Sequence, residues 1–123
     1  MTLLTFIKLK KINRERCEEY LHPLNSWLPS QWSNAIAGEV GETCNLTKKL
    51  DRLLDPSMKI NMNKPQDLNK SNLIERIKQE LGDVVIYADL LATRLGLDLG
   101  DCVKESFNNK SHELGLFKIK IEE

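Results

Sequence analysis

The chain has 123 residues, enough for one domain with a modest core, and its 18 lysines and arginines balance 18 aspartates and glutamates. That neutrality excludes bulk electrostatic capture of nucleic acid or of an anionic membrane surface. The three cysteines, Cys17, Cys44 and Cys102, are far apart and in no CxxC spacing. They exclude a disulfide framework and a thiolate zinc site, and they fit a reducing, cytoplasmic setting.

The amino-terminal stretch lacks a long apolar core and a small-residue cleavage site, so no signal peptide is expected. The most apolar run, Val84 to Ala92, is short and contains Asp89, so no bilayer span is expected either. Residues 1–12 mix lysines with Leu3, Leu4, Phe6, Ile7, Leu9 and Ile12, and read either as a lead-in or as the start of the first helix. Asn13 is the expected N-cap of a short helix, RERCEEYLHPL, that stops before Pro23. Leu24 to Ser30, with Trp27 and Pro29, reads as a turn.

Ser30 or Ser33 is the expected cap of a central helix running to about Leu54. There Trp32, Ile36, Val40, Leu46, Leu50 and Leu53 follow helical spacing, and Asp55-Pro56 ends it. Residues 56–70 hold two prolines, several asparagines and no periodicity. They read as a loop long enough to be a lid or an oligomer contact. Ser71 or Asn72 is the expected cap of the next helix, whose broad apolar stripe from Ile74 to Leu95 suits the centre of a bundle. Gly96 ends it, and Asp98 and Asp101 open a fourth helix that carries Val103 and Phe107 and closes near Gly115. The closing FKIKIEE alternates as a short strand would, or is a docked tail. The expected fold is all-α, a single domain over 1–123 forming a bundle of about four main helices.

Four acidic pairs stand three residues apart: Glu15/Glu18, Glu39/Glu42, Glu80/Asp83 and Asp98/Asp101. About two or three would arise by chance at this composition. The first pair lies in a heavily charged segment, and the last is accounted for by capping. The middle two lie inside helices among small or apolar residues, where ionised carboxylates need partners. Glu39 and Glu42 have Gly38 and Gly41 beside them, at a cost of about 1 kcal/mol each relative to alanine. That cost points to a close approach there. Two readings stand: facing pairs that share a divalent cation, or separate exposed faces with salt bridges to Lys48, Lys49 or Arg52. Carboxylates without histidine or cysteine suit Mg²⁺ or Mn²⁺ and not a di-iron centre, which would want Glu-x-x-His.

AGEVGETCNLTKKLDR, followed by ELGDVVIYADLLATRLGLDL, resembles the MazG-like all-α nucleoside triphosphate pyrophosphohydrolases. RCEEYLHPLNSW and SFNNKSHELG also resemble segments of some members, so the likeness covers residues 15 to about 115. It implies a helical bundle that forms a homodimer or homotetramer. It also implies Mg²⁺-dependent cleavage of a nucleoside triphosphate between the α and β phosphates. By position, Glu39, Glu42, Glu80 and Asp83 would be the magnesium ligands, with Glu39 or Glu42 activating water. Lys48, Lys49, Asn108, Lys110 and Ser111 would lie near the phosphates, and Trp32, Asn34 and Tyr87 near the base. One departure stands out, because Gly38 replaces the first of two adjacent acids in the fuller family motif. That leaves the metal count and the identity of the base open. The rival readings are a phosphoribosyl-ATP pyrophosphohydrolase and a non-catalytic helical module that binds nucleotide or a protein partner.

Overall fold

The computed structural model describes residues 3–55, 57 and 68–122. Among them are four α-helices and no strand: α1 (Phe6–Arg16), α2 (Pro29–Leu54), α3 (Lys70–Arg94) and α4 (Leu99–Glu113). The fold class is all-α with four main helices. The loop expected over 56–70, with its suggested lid or contact role, falls for the most part outside the described residues. No helix among the described residues is long and apolar enough to cross a membrane.

Helix starts differ from the sequence expectation in three places, each for a local reason. Thr5, in extended backbone, caps α1 by accepting the Lys8 N–H at 3.1 Å, so the lysine-rich stretch is helix and not a lead-in. Asn13 is therefore interior to α1 and is no cap. Its buried amide donates to Asp89 Oδ2 at 2.9 Å, and that distant partner overrides the local preference of asparagine for helix ends. Helix α2 opens on Pro29 and neither serine is its start, since a proline lacks only a donor that the first turn leaves unused. Ser33 lies inside it and donates to the Ser30 carbonyl at 3.2 Å. Helix α3 opens two or three residues early, with Asn69 Oδ1 accepting the Asn72 N–H at 3.1 Å.

Helix ends follow the sequence closely. Helix α1 passes into one π-turn, Cys17–Leu21, and His22 turns extended before Pro23. Leu24–Ser26 forms a single 3₁₀ turn. Helix α3 ends with Leu97 N–H on Ala92 O at 2.8 Å and Gly96 N–H on Thr93 O at 3.1 Å. This is a Schellman closure whose left-handed residue, Gly96 at φ 75°, needs no Cβ. Gly115 at φ 73° closes α4 in the same way. The FKIKIEE segment is a docked tail, because Asn108 accepts the Ile121 N–H at 2.7 Å and donates to its carbonyl at 3.0 Å.

The chain divides into two compact units, Met1–Pro29 with Ala88–Glu123, and Ser30–Tyr87. In the first, Cys17, Leu24, Leu90 and Ala92 are buried, together with polar Asn13, Asp89 and Ser111. Burial pushes the Cys17 thiol up from its ordinary value, which keeps it a packing residue. Arg94 Nε donates to the Trp27 carbonyl at 3.0 Å, and Lys10 pairs with Asp98. Gly100 lets α4 approach α1, since a Cβ there would stand 3.0 Å from Phe6 Cβ. In the second unit Trp32, Leu46 and Leu73 are buried.

Candidate functional site

Within Ser30–Tyr87, α2 and α3 run antiparallel, as three levels of contact show. The Trp32 and Tyr87 rings lie 6.4 Å apart. Further along, Glu39 meets Glu80 and Asp83, and beyond that Asn45 and Leu46 share a cavity with Arg76 and Gln79. Residue numbers rise on one helix as they fall on the other.

The middle level is the acidic one. One carboxylate oxygen each from Glu39, Glu80 and Asp83 lie within 4.8 Å of one another, and all three side chains are half-buried. Glu80 and Asp83 share a face because they stand three apart in a helix, and Glu39 comes from the opposite helix. The acids of the two helices thus face one another and do not point into separate patches of solvent. Glu42 is more exposed and sits beside this trio, in contact with Glu80.

The electrostatics follow from that crowding. Glu42 is raised from the ordinary glutamate value, first by its hydrogen bond with Glu80 and then by the charge of Glu80. Glu80 is raised chiefly by its hydrogen bond with Glu39, with burial second. These bonds need a proton on one partner, since two ionised carboxylates are acceptors only. With the acids ionised, the buried Glu80 Oε2 has no hydrogen-bond partner. A shared proton or a cation would satisfy it. The three oxygens lie close enough for one ion to reach them all, and an all-carboxylate donor set suits a hard cation.

Next to the acids lies a cavity of about 420 Å³ lined by Glu42, Asn45, Leu46, Arg76, Gln79 and Glu80. A larger concavity, about 560 Å³, runs along residues 7–19 only. Among the described residues its lining comes from this one helical segment, so the smaller cavity, lined from two helices, is the better candidate.

The other expected site residues are spread more widely. Trp32 is packed at 1% exposure and has no open face for stacking, while Tyr87 is half-buried beside it. Asn34 and Lys48 are exposed, and Lys49 is half-buried. Asn108, Lys110 and Ser111 belong to the other unit. There Asn108 holds Ile121, Lys110 pairs with Glu113 at 3.5 Å, and Ser111 is buried. Asn45, Arg76 and Gln79 were not singled out by sequence reasoning, although Asn45 follows Glu42 by three residues and Arg76 precedes Glu80 by four. Helical periodicity applied outward from the acids would have found both. The glycine expectation also changes, since a Cβ on Gly38, Gly41 or Gly82 would meet nothing within 4 Å. No close approach within the described residues requires them.

Compared with protein-family profiles, curated proteins and solved structures, the chain matches none.

Proposed function

We propose that the protein is a magnesium-dependent nucleoside triphosphate pyrophosphohydrolase, converting a (d)NTP to the monophosphate and pyrophosphate. One observation carries the reading: carboxylates from two separate helices converge within 4.8 Å and leave a buried oxygen in need of a cation or proton. The resemblance of AGEVGETCNLTKKLDR and ELGDVVIYADLLATRLGLDL to the MazG-like enzymes supports the choice of substrate.

Glu39, Glu80 and Asp83 would hold the ion, with Glu42 alongside. A magnesium ion held there would supply positive charge to offset that of the phosphates. Glu42 is the better placed proton acceptor, because it is accessible and sits outside the trio. Crowding by Glu80 raises its pKa, which makes its carboxylate a stronger base. It takes a proton from the water that attacks the α-phosphorus. The P–O bond on the β side then breaks, and pyrophosphate departs with the electron pair.

The same reading includes a homodimer or homotetramer in the cytoplasm. Ile74, Leu81 and Val85 expose 46%, 55% and 44% of their surface at helical spacing on α3, a stripe of the kind that marks interfaces. The cysteines among the described residues are unpaired, as a reducing compartment would have them.

The test is incubation with Mg²⁺ and each (d)NTP, with the products identified. Monophosphate and pyrophosphate are expected. Orthophosphate release, or no turnover of any substrate, would overturn the hydrolase assignment, and nucleotide binding without turnover would leave a binding module.

A further inference from the structure

The cavity beside the acids has an internal order that the acids alone do not explain. At one level of the antiparallel pair stand the Trp32 and Tyr87 rings, and at the next the Glu39, Glu80 and Asp83 carboxylates. Beyond them, on the side away from the rings, stand Arg76, Gln79 and Asn45. Trp32 precedes Glu39 by seven residues, about 10 Å along the helix, and Arg76 precedes Glu80 by four, about 6 Å. Carboxylates on their own repel a polyphosphate. Arg76 lines the same cavity and sets a guanidinium on one side of the acids only. A guanidinium offers five donors in a planar fork and matches two phosphate oxygens at once. The amides of Asn45 and Gln79 add donors around it.

We infer that Arg76, assisted by Asn45 and Gln79, is the receptor for the β and γ phosphates of the substrate, which depart together as pyrophosphate. A nucleoside triphosphate is itself ordered, from base and sugar through α to γ. If the bond that breaks lies at the acidic level, the distal phosphates fall on one side of it and the nucleoside on the other. Arg76 lies on the side opposite Tyr87, the ring of that pair that is not fully buried and so the one that can border the nucleoside, which assigns Arg76 the distal end. The identity of the departing group rests on the hydrolase reading, but the existence of the anion site does not.

The probe is magnesium pyrophosphate, titrated calorimetrically into the full-length protein, with a nucleoside monophosphate as comparison. Arg76→Gln is expected to weaken pyrophosphate at least tenfold and Arg76→Lys to fall between, with monophosphate binding changed less than twofold. Lys78→Gln is the control. It removes the same charge two residues away, from a side chain that is 74% exposed and paired with Glu75, and should leave pyrophosphate binding intact. Helix content by circular dichroism and Mn²⁺ binding without phosphate check that each variant is folded. If Arg76→Gln does not fold, the comparison of Arg76→Lys with Lys78→Gln decides. Three results would each overturn the assignment: no pyrophosphate binding by the wild type, equal losses in Arg76→Gln and Lys78→Gln, or an equal loss for monophosphate. A wild type that binds pyrophosphate through Arg76 yet hydrolyses no triphosphate would sink the hydrolase reading alone. A wild type that releases pyrophosphate, with an Arg76→Gln variant unchanged in pyrophosphate binding, would sink this one alone.

Discussion

Glu80 shows how much can depend on one oxygen. Its Oε2 is buried against acceptors, so the metal-free protein carries a local repulsion that a proton or a cation relieves. A carboxyl whose folded-state pKa is raised contributes stability fully present below its unfolded value and lost as pH rises through the folded one. Both Glu42 and Glu80 are shifted in that direction. The metal-free protein should therefore lose this contribution between acid and neutral pH. Glu80→Gln keeps the shape and supplies a donor, so its melting temperature should exceed that of the wild type by a margin that widens from pH 4 to 7. A margin independent of pH would contradict the crowding. Added Mn²⁺ should stabilise the wild type, by about 2.7 kcal/mol at a hundred times its dissociation constant, and should barely move the variant. Thermal melts with and without metal read both outcomes.

Among the helices, α2 and α3 were the most legible parts of the sequence, and their far ends the most legible of all. Asp55 before Pro56, Gly96 and Gly115 stop helices by backbone geometry that any context shares. The starts were harder, because a cap competes with other uses of the same side chain. Asn13 looks like a cap until Asp89, far along the chain, claims its amide. That bond also sets a stability prediction. Asp89 is 1% exposed, and Asn13→Ala would strip a donor from a buried carboxylate. A loss of about 2 to 3 kcal/mol in urea unfolding is expected, with much of it recovered in the Asn13→Ala/Asp89→Ala pair. Additive losses would mean that the two residues act separately. The candidate site shows the same division. Acidic spacing on two helices was readable, but which neighbours close the cavity depends on how α2 and α3 register, and Arg76 emerged only with that register.

On the scale of the whole molecule, few large apolar side chains among the described residues are buried and many are exposed. On α3, Ile74, Leu81 and Val85 form such a surface at helical spacing. If a second copy covers it, Val85→Asp should shift the protein to a smaller species in sedimentation velocity while helix content is kept. An unchanged sedimentation coefficient would remove this face from the assembly. The unit Ser30–Tyr87 is contiguous in the chain, whereas the other is made from two separated stretches. On the ribosome, then, the acid-bearing hairpin can close while synthesis continues, but Asn13 must wait for Asp89 to emerge, and Lys10 for Asp98. Nascent chains arrested just after Tyr87 has cleared the exit tunnel should resist protease across α2 and α3 and remain cleavable around α1. Helix α1, translated before α2 and α3, would find its place after them.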